Sequence, residues 1–483
     1  MNSVQFVGRG YELEKLDRLL DKKTASLVVI KGRRRIGKSR LVEEFAKSKT
    51  FYTFTGLSPV DGIDAQSQRD EFARQLSEQF DLSSTLKTDD WGTLFTLLAK
   101  YTEKGRVIIL LDEISWMGDK DPEFLPKLKN AWDNHFKKNP KLMLILCGSI
   151  SSWIEKNIIS STGYFGRITE KITLEELSLF ECSELLKEVG FKGSALEKLM
   201  ILSITGGIPW YIELINHTLS ASENIKRLCF EKDGILVNEF NHIFHDLFGK
   251  RNAIYKSIVR YLAEGAAEYS DISDELNYSS SGVLTEYLDD LIMSGYINRD
   301  FSWNLNTGKE STLSHYRLKD NYLRFYLKYI APVLSKIEKN QMKEVAVSAL
   351  PGFDTLMGLQ FENVVLNNRA LIFKKLGIRT EDIVCDNPFY QRKTTKQAGC
   401  QIDYMIQTKF NTLYVCEIKF TRKIIESKVT REVEEKIKRM KKPKNFACVP
   451  VLIHTGDVSE KIIESNYFAN VINFEKIMED KNA

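Results

Sequence analysis

Four apolar runs alternate with amphipathic segments over the first 170 positions of the chain. The runs lie at residues 26–30, 51–54, 106–111 and 141–147, and the segments between them carry apolar residues at helical spacing. Continuous apolar runs predict strands that are buried on both faces, as in a parallel sheet covered by helices. The pattern therefore predicts an α/β fold for this part of the chain.

The pattern changes after residue 170, because residues 171–250 are helical in character throughout. Residues 252–318 then give three amphipathic helices and two short strands, an order typical of a winged helix. The third helix, which we expect residues 279–282 to cap, carries Glu286, Asp289 and Asp290 and no lysine or arginine. Acidic groups repel phosphates, so we favour a packing or protein-contact role for it over the reading of DNA.

The last third of the chain contains a predicted hairpin formed by strands at residues 401–406 and 413–420. A short turn near Phe410 places Asp403 opposite Glu417, and Lys419 shares a strand face with Glu417. Glu362 lies in an earlier predicted helix. A later helix, at 429–440, begins a basic run that either follows a phosphate backbone or forms an exposed helix face. The run consists of Lys436, Lys438, Arg439, Lys441, Lys442 and Lys444.

Composition narrows the class of protein only a little. The chain has 483 residues, 43% of them hydrophobic, and a net charge of +4, which does not by itself demand a nucleic-acid partner. Its seven cysteines form no C-x-x-C pair, which favours a reducing cytoplasmic location and argues against a zinc ribbon. We find no apolar stretch of membrane-spanning length and no signal peptide, and so expect a cytoplasmic protein without a membrane partner.

A glycine-rich loop follows the first apolar run and precedes a predicted helix. It fits the pattern G-x-x-x-x-G-K-[ST], whose strand, loop and helix hold phosphates on backbone N–H groups and a helix N-terminus. Lys38 would reach the β- and γ-phosphates of ATP, and Ser39 would bind Mg²⁺. The alternative is a glycine-rich turn that binds nothing. The predicted nucleotide-binding residues are Gly32, Arg33, Arg34, Arg35, Ile36, Gly37, Lys38, Ser39 and Arg40.

Further candidate residues stand at the ends of the later strands. Asp112 would hold Mg²⁺ and Glu113 would act as the general base that polarises the attacking water. Ser149 would hydrogen-bond the γ-phosphate or the water, unless it only caps the next helix. Arg167 would stabilise transition-state charge, either within its own chain or across a subunit interface, with a surface salt bridge as the competing role.

Several of these motifs together resemble the archaeal-type ATPase family, a relative of the AAA+ and STAND ATPases. The resemblance implies an ASCE sheet, with an extra strand between the Walker A and Walker B strands, and a small helical lid. It also implies that Gly207 and Pro209 lie in the lid near the nucleotide. No second sensor arginine can be assigned in the lid. The motifs are Phe6-Val7-Gly8-Arg9, the Gly32 to Ser39 loop, Leu110-Leu111-Asp112-Glu113, Cys147-Gly148-Ser149 and Thr205-Gly206-Gly207-Ile208-Pro209.

The C-terminal hairpin is similar to the D-x(n)-E-x-K core of the PD-(D/E)XK nucleases. Asp403 and Glu417 would bind Mg²⁺ or Mn²⁺, and Lys419 would orient the metal-generated hydroxide. Glu362 would supply a further acidic ligand, as helices of this kind often do in such nucleases. The alternative is that the fold persists as a binding scaffold without cleavage.

These patterns divide the chain into four predicted domains. They are a P-loop ATPase α/β core (1–170), a helical lid (171–250), a winged helix (251–330) and a restriction-endonuclease-like α/β domain (331–483). The first hypothesis is an ATPase whose nucleotide state controls a DNA nuclease. The second is a STAND-like switch or DNA-binding regulator whose C-terminal domain cuts nothing. The expected partners are ATP and DNA, and a second copy of the chain if Arg167 acts between subunits.

Overall fold

The computed structural model describes residues 4–60, 62–83, 86–249, 252–278, 282–395 and 397–479. A five-stranded parallel sheet forms the N-terminal part in the order β2-β3-β4-β1-β5, so β4 lies between β1 and β3. This confirms the predicted parallel sheet and the extra strand between the two motif strands. The strands are β1 (Ser26–Gly32), β2 (Thr50–Thr55), β3 (Val107–Asp112), β4 (Leu142–Gly148) and β5 (Ile168–Leu174).

Strand position in the sheet explains the sequence pattern. The inner strands β1, β3 and β4 are buried almost throughout, whereas the edge strand β2 exposes several of its residues. Strand β5 runs past the boundary predicted at residue 170 and ends at Leu174. The helices of this part are α1 (Gly10–Leu20), α2 (Lys38–Ala46), α3 (Ala65–Gln79), α4 (Trp91–Tyr101), α5 (Ile114–Gly118), α6 (Phe124–Asn134) and α7 (Ser151–Ile154).

Helices follow the sheet, as predicted. The first group is α8 (Leu179–Glu188), α9 (Ala195–Thr205), α10 (Pro209–Glu213), α11 (Ala221–Cys229) and α12 (Ile235–Phe248). Next come α13 (Asn252–Ala263), α14 (Tyr269–Glu275) and α15 (Gly282–Met293), then the antiparallel pair β6 (Ile297–Trp303) and β7 (Glu310–Leu318). The predicted boundary at 250–251 and the predicted capping serines 279–281 lie outside the described residues. Helices α16 (Asn321–Phe325) and α17 (Leu334–Glu338) lead to the last part.

A second five-stranded sheet, in the order β12-β11-β10-β9-β8, forms the C-terminal part. Strands β8, β9 and β10 are antiparallel neighbours, and β11 and β12 continue the sheet parallel to β10. Helix α20 makes the crossover from β10 to β11. The elements are α18 (Phe353–Asn367), α19 (Arg369–Leu376), β8 (Ile383–Gln391), β9 (Cys400–Thr408), β10 (Thr412–Lys419), α20 (Lys428–Arg439), β11 (Ala447–His454), α21 (Glu460–Glu464), β12 (Asn470–Asn473) and α22 (Phe474–Glu479).

One apolar core connects these parts. It runs from one face of the first sheet through the helices to one face of the C-terminal sheet, and includes Val28, Leu202, Phe325, Phe361 and Ile453. A second cluster covers the other face of the first sheet. Burial of apolar surface therefore ties the sheet, the helices and the C-terminal part together. Within the described ranges, no helix is both long enough and apolar enough to cross a bilayer.

Candidate functional site

The glycine-rich loop lies between β1 and α2, at the edge where all the strands of the first sheet end. Gly32 has a φ of 153°, and a Cβ there would lie 2.6 Å from the carbonyl oxygen of Leu174. Gly37 has a φ of 91° and precedes the first residue of α2. Side chains rarely tolerate these backbone angles, so the loop needs glycine at both positions. The N-terminus of α2 then faces the space that the loop encloses.

Lys38 is the first residue of α2, and its ammonium points into the loop. The Nζ atom donates to the carbonyl oxygens of Gly32 and Arg33, at 3.1 and 3.0 Å, and to the hydroxyl oxygen of Ser149, at 2.9 Å. The loop and the end of β4 therefore meet at one ammonium. The charge lies where the phosphates of a nucleotide bind in loops of this kind.

The parallel register brings the ends of β3 and β4 beside the loop. The hydroxyl of Ser39 donates to Asp112 Oδ2 at 2.6 Å, so two oxygen ligands for Mg²⁺ lie next to each other. Glu113 accepts hydrogen bonds from the hydroxyl and the N–H of Ser149, at 2.7 and 3.1 Å. These residues fit a Mg²⁺ ion, which when bound would neutralise charge on the β- and γ-phosphates. The two hydrogen bonds from Ser149 hold the Glu113 carboxylate in place, as the predicted role of general base requires.

Backbone strain marks the same site. Glu113 has a φ of 49°, a left-handed conformation that residues other than glycine seldom adopt. Such strained residues cluster at active sites, where the surrounding structure holds them. Ser149 contacts Lys38 and Glu113 through its hydroxyl, and no hydrogen bond from that hydroxyl caps helix α7. The geometry thus brings together Lys38, Ser39, Asp112, Glu113 and Ser149.

Arg9 supports the loop in a way that the sequence did not reveal. Its buried guanidinium donates to the carbonyl oxygen of Ile36 at 3.1 Å and to that of Glu175, after β5, at 2.7 Å. The backbone N–H of Arg9 donates to Glu181 at 2.7 Å. One side chain thus connects the N-terminal segment, the loop and the end of β5. The sequence signal for Arg9 was its place in the Phe6-Val7-Gly8-Arg9 motif, which did not predict these contacts.

The arginine side chains of the loop point away from the phosphate side. The buried guanidinium of Arg33 donates to Glu176 at 2.8 Å, contacts Asp320 and lies 4.8 Å from the ring centroid of Tyr296. Burial disfavours its charge, but the negative charges of Asp320 and Glu176 outweigh that effect and raise the pKa of Arg33. The loop therefore forms a buried ion-pair cluster with the segment that follows β7.

The three neighbouring arginines are also paired. Arg34 forms an ion pair with Asp246 of α12. Arg35 lies 3.8 Å from the centroid of Trp210 and 3.3 Å from Glu239 of α12. Arg40 pairs with Glu213 of α10. Within residues 33–36, the backbone rather than the arginine side chains is therefore positioned to meet phosphates.

The two lid residues predicted to lie near the nucleotide occupy different surroundings. Pro209, at the start of α10, lines a narrow cleft together with Gly37 and Arg40. Gly207 contacts the residues that follow β5. Its N–H donates to Glu176 at 3.0 Å, and its carbonyl oxygen accepts from the N–H of Leu177. Pro209 is thus adjacent to the loop, whereas Gly207 joins the lid to the end of β5.

Arg167 lies at the end of the sheet where the parallel strands begin, whereas the loop lies at the end where they finish. It precedes β5, whose residues Ile168 and Leu174 pair with Leu27 and Gly32. At about 3.3 Å per residue, the strand separates Arg167 from the loop by ~20 Å. The side chain makes a two-pronged ion pair with Asp133, with a closest distance of 2.8 Å. An arginine side chain does not span that distance, which disfavours a role within the same chain, and action on a second copy stays a prediction.

The C-terminal carboxylates converge on one point. The β9–β10 ladder ends at the pair of Tyr404 and Cys416, and Asp403 and Glu417 are the next residues along the two strands. This confirms the predicted hairpin. The Nζ atom of Lys436, from α20, lies 3.2 Å from Asp403 Oδ1 and 2.6 Å from Glu417 Oε2. Lys419 lies 2.8 Å from Glu417 Oε1, on the same face of β10.

Burial disfavours the charged forms of the carboxyl groups at this site. Asp403 Oδ2 accepts the N–H of Ile418 at 3.0 Å. Burial raises the pKa of Asp403 and the charge of Glu417 raises it further, although Lys436 opposes both. Burial and the charge of Asp403 together raise the pKa of Glu362 to about 7. The carboxylates thus lie close enough for their charges to interact.

The structure does not add Glu362 to the pair as a third metal ligand. Among the residues that the structure describes, no three His, Cys, Asp or Glu side chains are grouped to hold a metal ion. Any ion at this site would therefore have Asp403 and Glu417 as its acidic ligands, a number that suits Mg²⁺, which keeps several waters. Glu362 instead lies near the pair as a partly buried carboxyl that interacts with the charge of Asp403.

The basic run begins within α20, and its members Lys438 and Arg439 form a paired, exposed helix surface. Lys438 pairs with Glu434 at 3.1 Å and Arg439 with Glu435 at 2.9 Å. Such i,i+4 pairs are typical of a solvated helix face. Of the run, Lys436 is the member that turns inward, a position that the charge pattern alone did not predict.

The parallel sheet, the glycine-rich loop and the acids at the end of β3 define a P-loop ATPase. Residues 6–215 match a family model described as an ATPase domain predominantly from Archaea. This part of the chain therefore belongs to the archaeal-type P-loop ATPase family and binds ATP.

Two relatives and two solved structures show similarity to the chain. The uncharacterized protein MJECL04 of Methanocaldococcus jannaschii is 28% identical over 387 residues, or 77% of this chain and 81% of the relative. The uncharacterized ATP-binding protein MJ0423 of that organism is 44% identical over 46 residues, or 10% of this chain and 78% of the relative.

The Walker-type ATPase PABY2304 of Pyrococcus abyssi gives a TM-score of 0.49 at 18% identity, covering 67% of this chain and 96% of that one. The ORC2 protein of Aeropyrum pernix gives a TM-score of 0.42 at 15% identity, covering 71% and 97%. At these scores the backbones agree only in part.

Proposed function

We propose that this ATPase uses its nucleotide state to control a metal-dependent DNA nuclease of the restriction-endonuclease-like type in residues 331–483. The observation that carries the proposal is that Asp403 and Glu417 contact one ammonium, that of Lys436, while Lys419 contacts Glu417 from the same strand face. The order of helix α18, three antiparallel strands, crossover helix α20 and parallel strand β11 supports such a fold. Mg²⁺ or Mn²⁺ is the ion that these oxygen ligands suit.

The chemistry follows from the residue types. Asp403 and Glu417 would hold the ion, which when bound lowers the pKa of water and stabilises charge on the phosphate. Lys419 is positioned by Glu417 to orient the attacking water and to balance the developing negative charge. The site lies beside the solvent, because more than a third of the Lys419 side chain is exposed. A DNA backbone could therefore approach it.

Control by nucleotide requires a physical connection between the two sites, and Arg33 begins one. It joins the phosphate-binding loop to Asp320, whose Oδ1 atom accepts the N–H of Leu323 at 2.6 Å and so caps α16. A shift of the loop on nucleotide binding would therefore act on α16. Buried ion pairs transmit such shifts well because neither charge can be left unpaired at low cost.

Helix α16 is bonded in turn to α18. The side chain of Asn321 donates to the carbonyl oxygen of Gln360 at 3.2 Å, and the Gln360 side chain donates to the carbonyl oxygen of Asn321 at 2.6 Å. Asn363 donates to the Asn321 side chain at 2.9 Å. Glu362, on the same helix, is close enough to Asp403 for its pKa to respond. This series of contacts supports a path from the loop to the carboxylates.

The intervening residues support a packing module rather than a DNA reader. Helices α13 to α15 and the β6–β7 pair follow the order of a winged helix. Asp290 of α15 accepts the Tyr255 hydroxyl at 2.7 Å and lies 3.4 Å from Lys156, next to α7 of the ATPase part. We therefore propose a winged helix whose third helix contacts the ATPase, with a homo-oligomer as the setting in which Arg167 would act.

Plasmid nicking with Mg²⁺ or Mn²⁺, with and without ATP, tests the proposal. The parent protein should cut supercoiled, branched or single-stranded DNA, and Asp403→Ala and Glu417→Ala should lose metal binding and cleavage together. Lys419→Ala should keep the metal and lose most cleavage. Glu434→Ala, an exposed acid on α20, is the matched control and should cut like the parent. ATP hydrolysis should stay nearly unchanged in all four variants.

The second candidate is a STAND-like switch or DNA-binding regulator whose C-terminal domain does not cleave. Lys436 favours it, because its ammonium already contacts both carboxylates. If the parent protein cuts none of the DNA forms with either metal, with or without ATP, the nuclease proposal fails and the switch remains.

A further inference from the structure

Helix α20 presents a lysine where its pattern calls for an apolar residue. Val429, Val433 and Met440 are buried, at spacings that place them on one face of the helix. Lys436 occupies the same face, three residues after Val433 and four before Met440. The helix therefore packs against the sheet with one long, charged side chain directed inward. An inward lysine is kept only where opposite charges receive it.

The receiving charges are the two carboxylates of the proposed nuclease site. Lys436 lies 2.6 Å from Glu417 Oε2 and 3.2 Å from Asp403 Oδ1, so one ammonium bridges both side chains. Glu417 is 2% exposed and has Lys419 on its other oxygen. Both oxygens that face Lys436 are the ones a divalent cation between the two acids would need.

We propose that Lys436 is a tethered counter-ion of this site, which competes with the divalent cation and must move aside before the cation binds. The inference rests on the proposed function, since it assigns the carboxylates to a metal ion. A lysine has a flexible stem of four carbons, so its ammonium can leave while Val429 and Val433 hold the helix in place. The exposed part of the side chain, 27%, gives it a path towards solvent.

Charge balance supports this role. Lys436 and Lys419 face Asp403 and Glu417, although Glu432 also lies 3.7 Å from Lys419, so the two ammonium groups offset much of the carboxylate charge without an ion. The displaced ammonium would remain tethered near the acids, where it can contact a bound phosphate. The site would then change from a closed salt bridge to a metal site when cation and DNA arrive together.

Mn²⁺ binding, followed by electron paramagnetic resonance at pH 8 without nucleotide, tests the inference without measuring cleavage. Lys436→Met should bind Mn²⁺ about ten- to a hundredfold more tightly than the parent, the range that a charge-assisted hydrogen bond corresponds to. Lys438→Met, on the exposed face of the same helix, is the matched control and should bind like the parent. Asp403→Ala defines the Mn²⁺ bound elsewhere, which is subtracted.

A second variant guards against misfolding. Lys436→Gln keeps a polar side chain of similar length and should also bind Mn²⁺ more tightly, whereas Lys436→Arg should bind it as weakly as the parent. Equal or weaker affinity in both neutral variants, with melting temperatures like that of the parent, would overturn the inference. Unchanged affinity in a protein that cuts DNA leaves the nuclease standing without the counter-ion. Tighter binding in a protein that cuts nothing supports the counter-ion alone.

Discussion

The ion-pair cluster between the phosphate-binding loop and α16 makes a quantitative prediction for Asp320→Asn. Asparagine keeps the shape of the side chain and an oxygen to cap α16, but it removes the charge that faces Arg33. Asp320 is 1% exposed and Arg33 8%, so water cannot replace the lost partner. Arg33 retains Glu176, at 2.8 Å, and the ring of Tyr296. The substitution therefore weakens the cluster without abolishing it.

The expected cost follows from the number of partners. Leaving a buried charge with no partner costs about 3–5 kcal/mol of unfolding free energy. Because one carboxylate remains, we expect about 2 kcal/mol, the value of one hydrogen bond to a charged group. Asp320→Ala should cost about 1 kcal/mol more, since it also removes the helix cap. Combined with Glu176→Gln, Asp320→Asn should cost more than the two single losses together, because Arg33 then has no carboxylate.

Scanning calorimetry measures this loss, which corresponds to a fall of about 4–8 °C in the melting temperature of a domain of 150–250 residues. Glu175→Gln is the matched control. Its carboxylate pairs with Lys319 at 3.1 Å but is 66% exposed, so its loss should cost at most about 0.5 kcal/mol. Asp320→Asn should also reduce any effect of ATP on DNA cleavage. A melting temperature for Asp320→Asn within about a degree of the parent would refute the reasoning.

Three further predictions concern single groups. Glu113→Gln should bind ATP but hydrolyse it about a hundredfold more slowly, as expected for loss of a general base; turnover equal to the parent's would remove Glu113 from that role. In EDTA, the parent should lose stability as the pH rises from about 4.5 through 7, because the folded state holds the Glu362 proton more tightly than the unfolded chain. Glu362→Gln should lack that loss, so melting curves with the same pH dependence would contradict it. Mixing Arg167→Ala with Lys38→Ala protein should restore some ATPase activity if Arg167 acts between subunits, and no recovery in mixed oligomers confirmed by mass would exclude that role.

The nucleotide site was largely predictable because its chemistry is local in sequence. The loop from Gly32 to Ser39 stands between its own strand and helix, so neighbouring residues supply both the backbone angles and the lysine. Asp112 and Ser149 could be assigned because the ends of parallel strands share one edge of a sheet. The hairpin register was predictable for a similar reason, since a short turn fixes which residues face each other.

The partners of the loop arginines were not predictable. Arg33 and Asp320 are 287 residues apart, and their meeting depends on how the intervening helices pack. Sequence spacing carries no information about such a pair, because many acidic residues are equally compatible with an arginine until the core assembles. The same reason explains why Gly207 and Pro209, which belong to one motif, have different neighbours: Gly207 contacts Glu176, whereas Pro209 lies beside the loop.

The sequence by itself determined the class of the ATP site and the opposition of Asp403 and Glu417, because both depend on short-range backbone geometry. Only the tertiary structure decided that Arg167 lies at the far edge of the sheet, and that Lys436, one of several lysines in a basic run, is directed at the carboxylates. Charge content and periodicity describe one element at a time. The direction of a side chain towards a distant group depends on how two elements are docked, which burial of the shared core fixes.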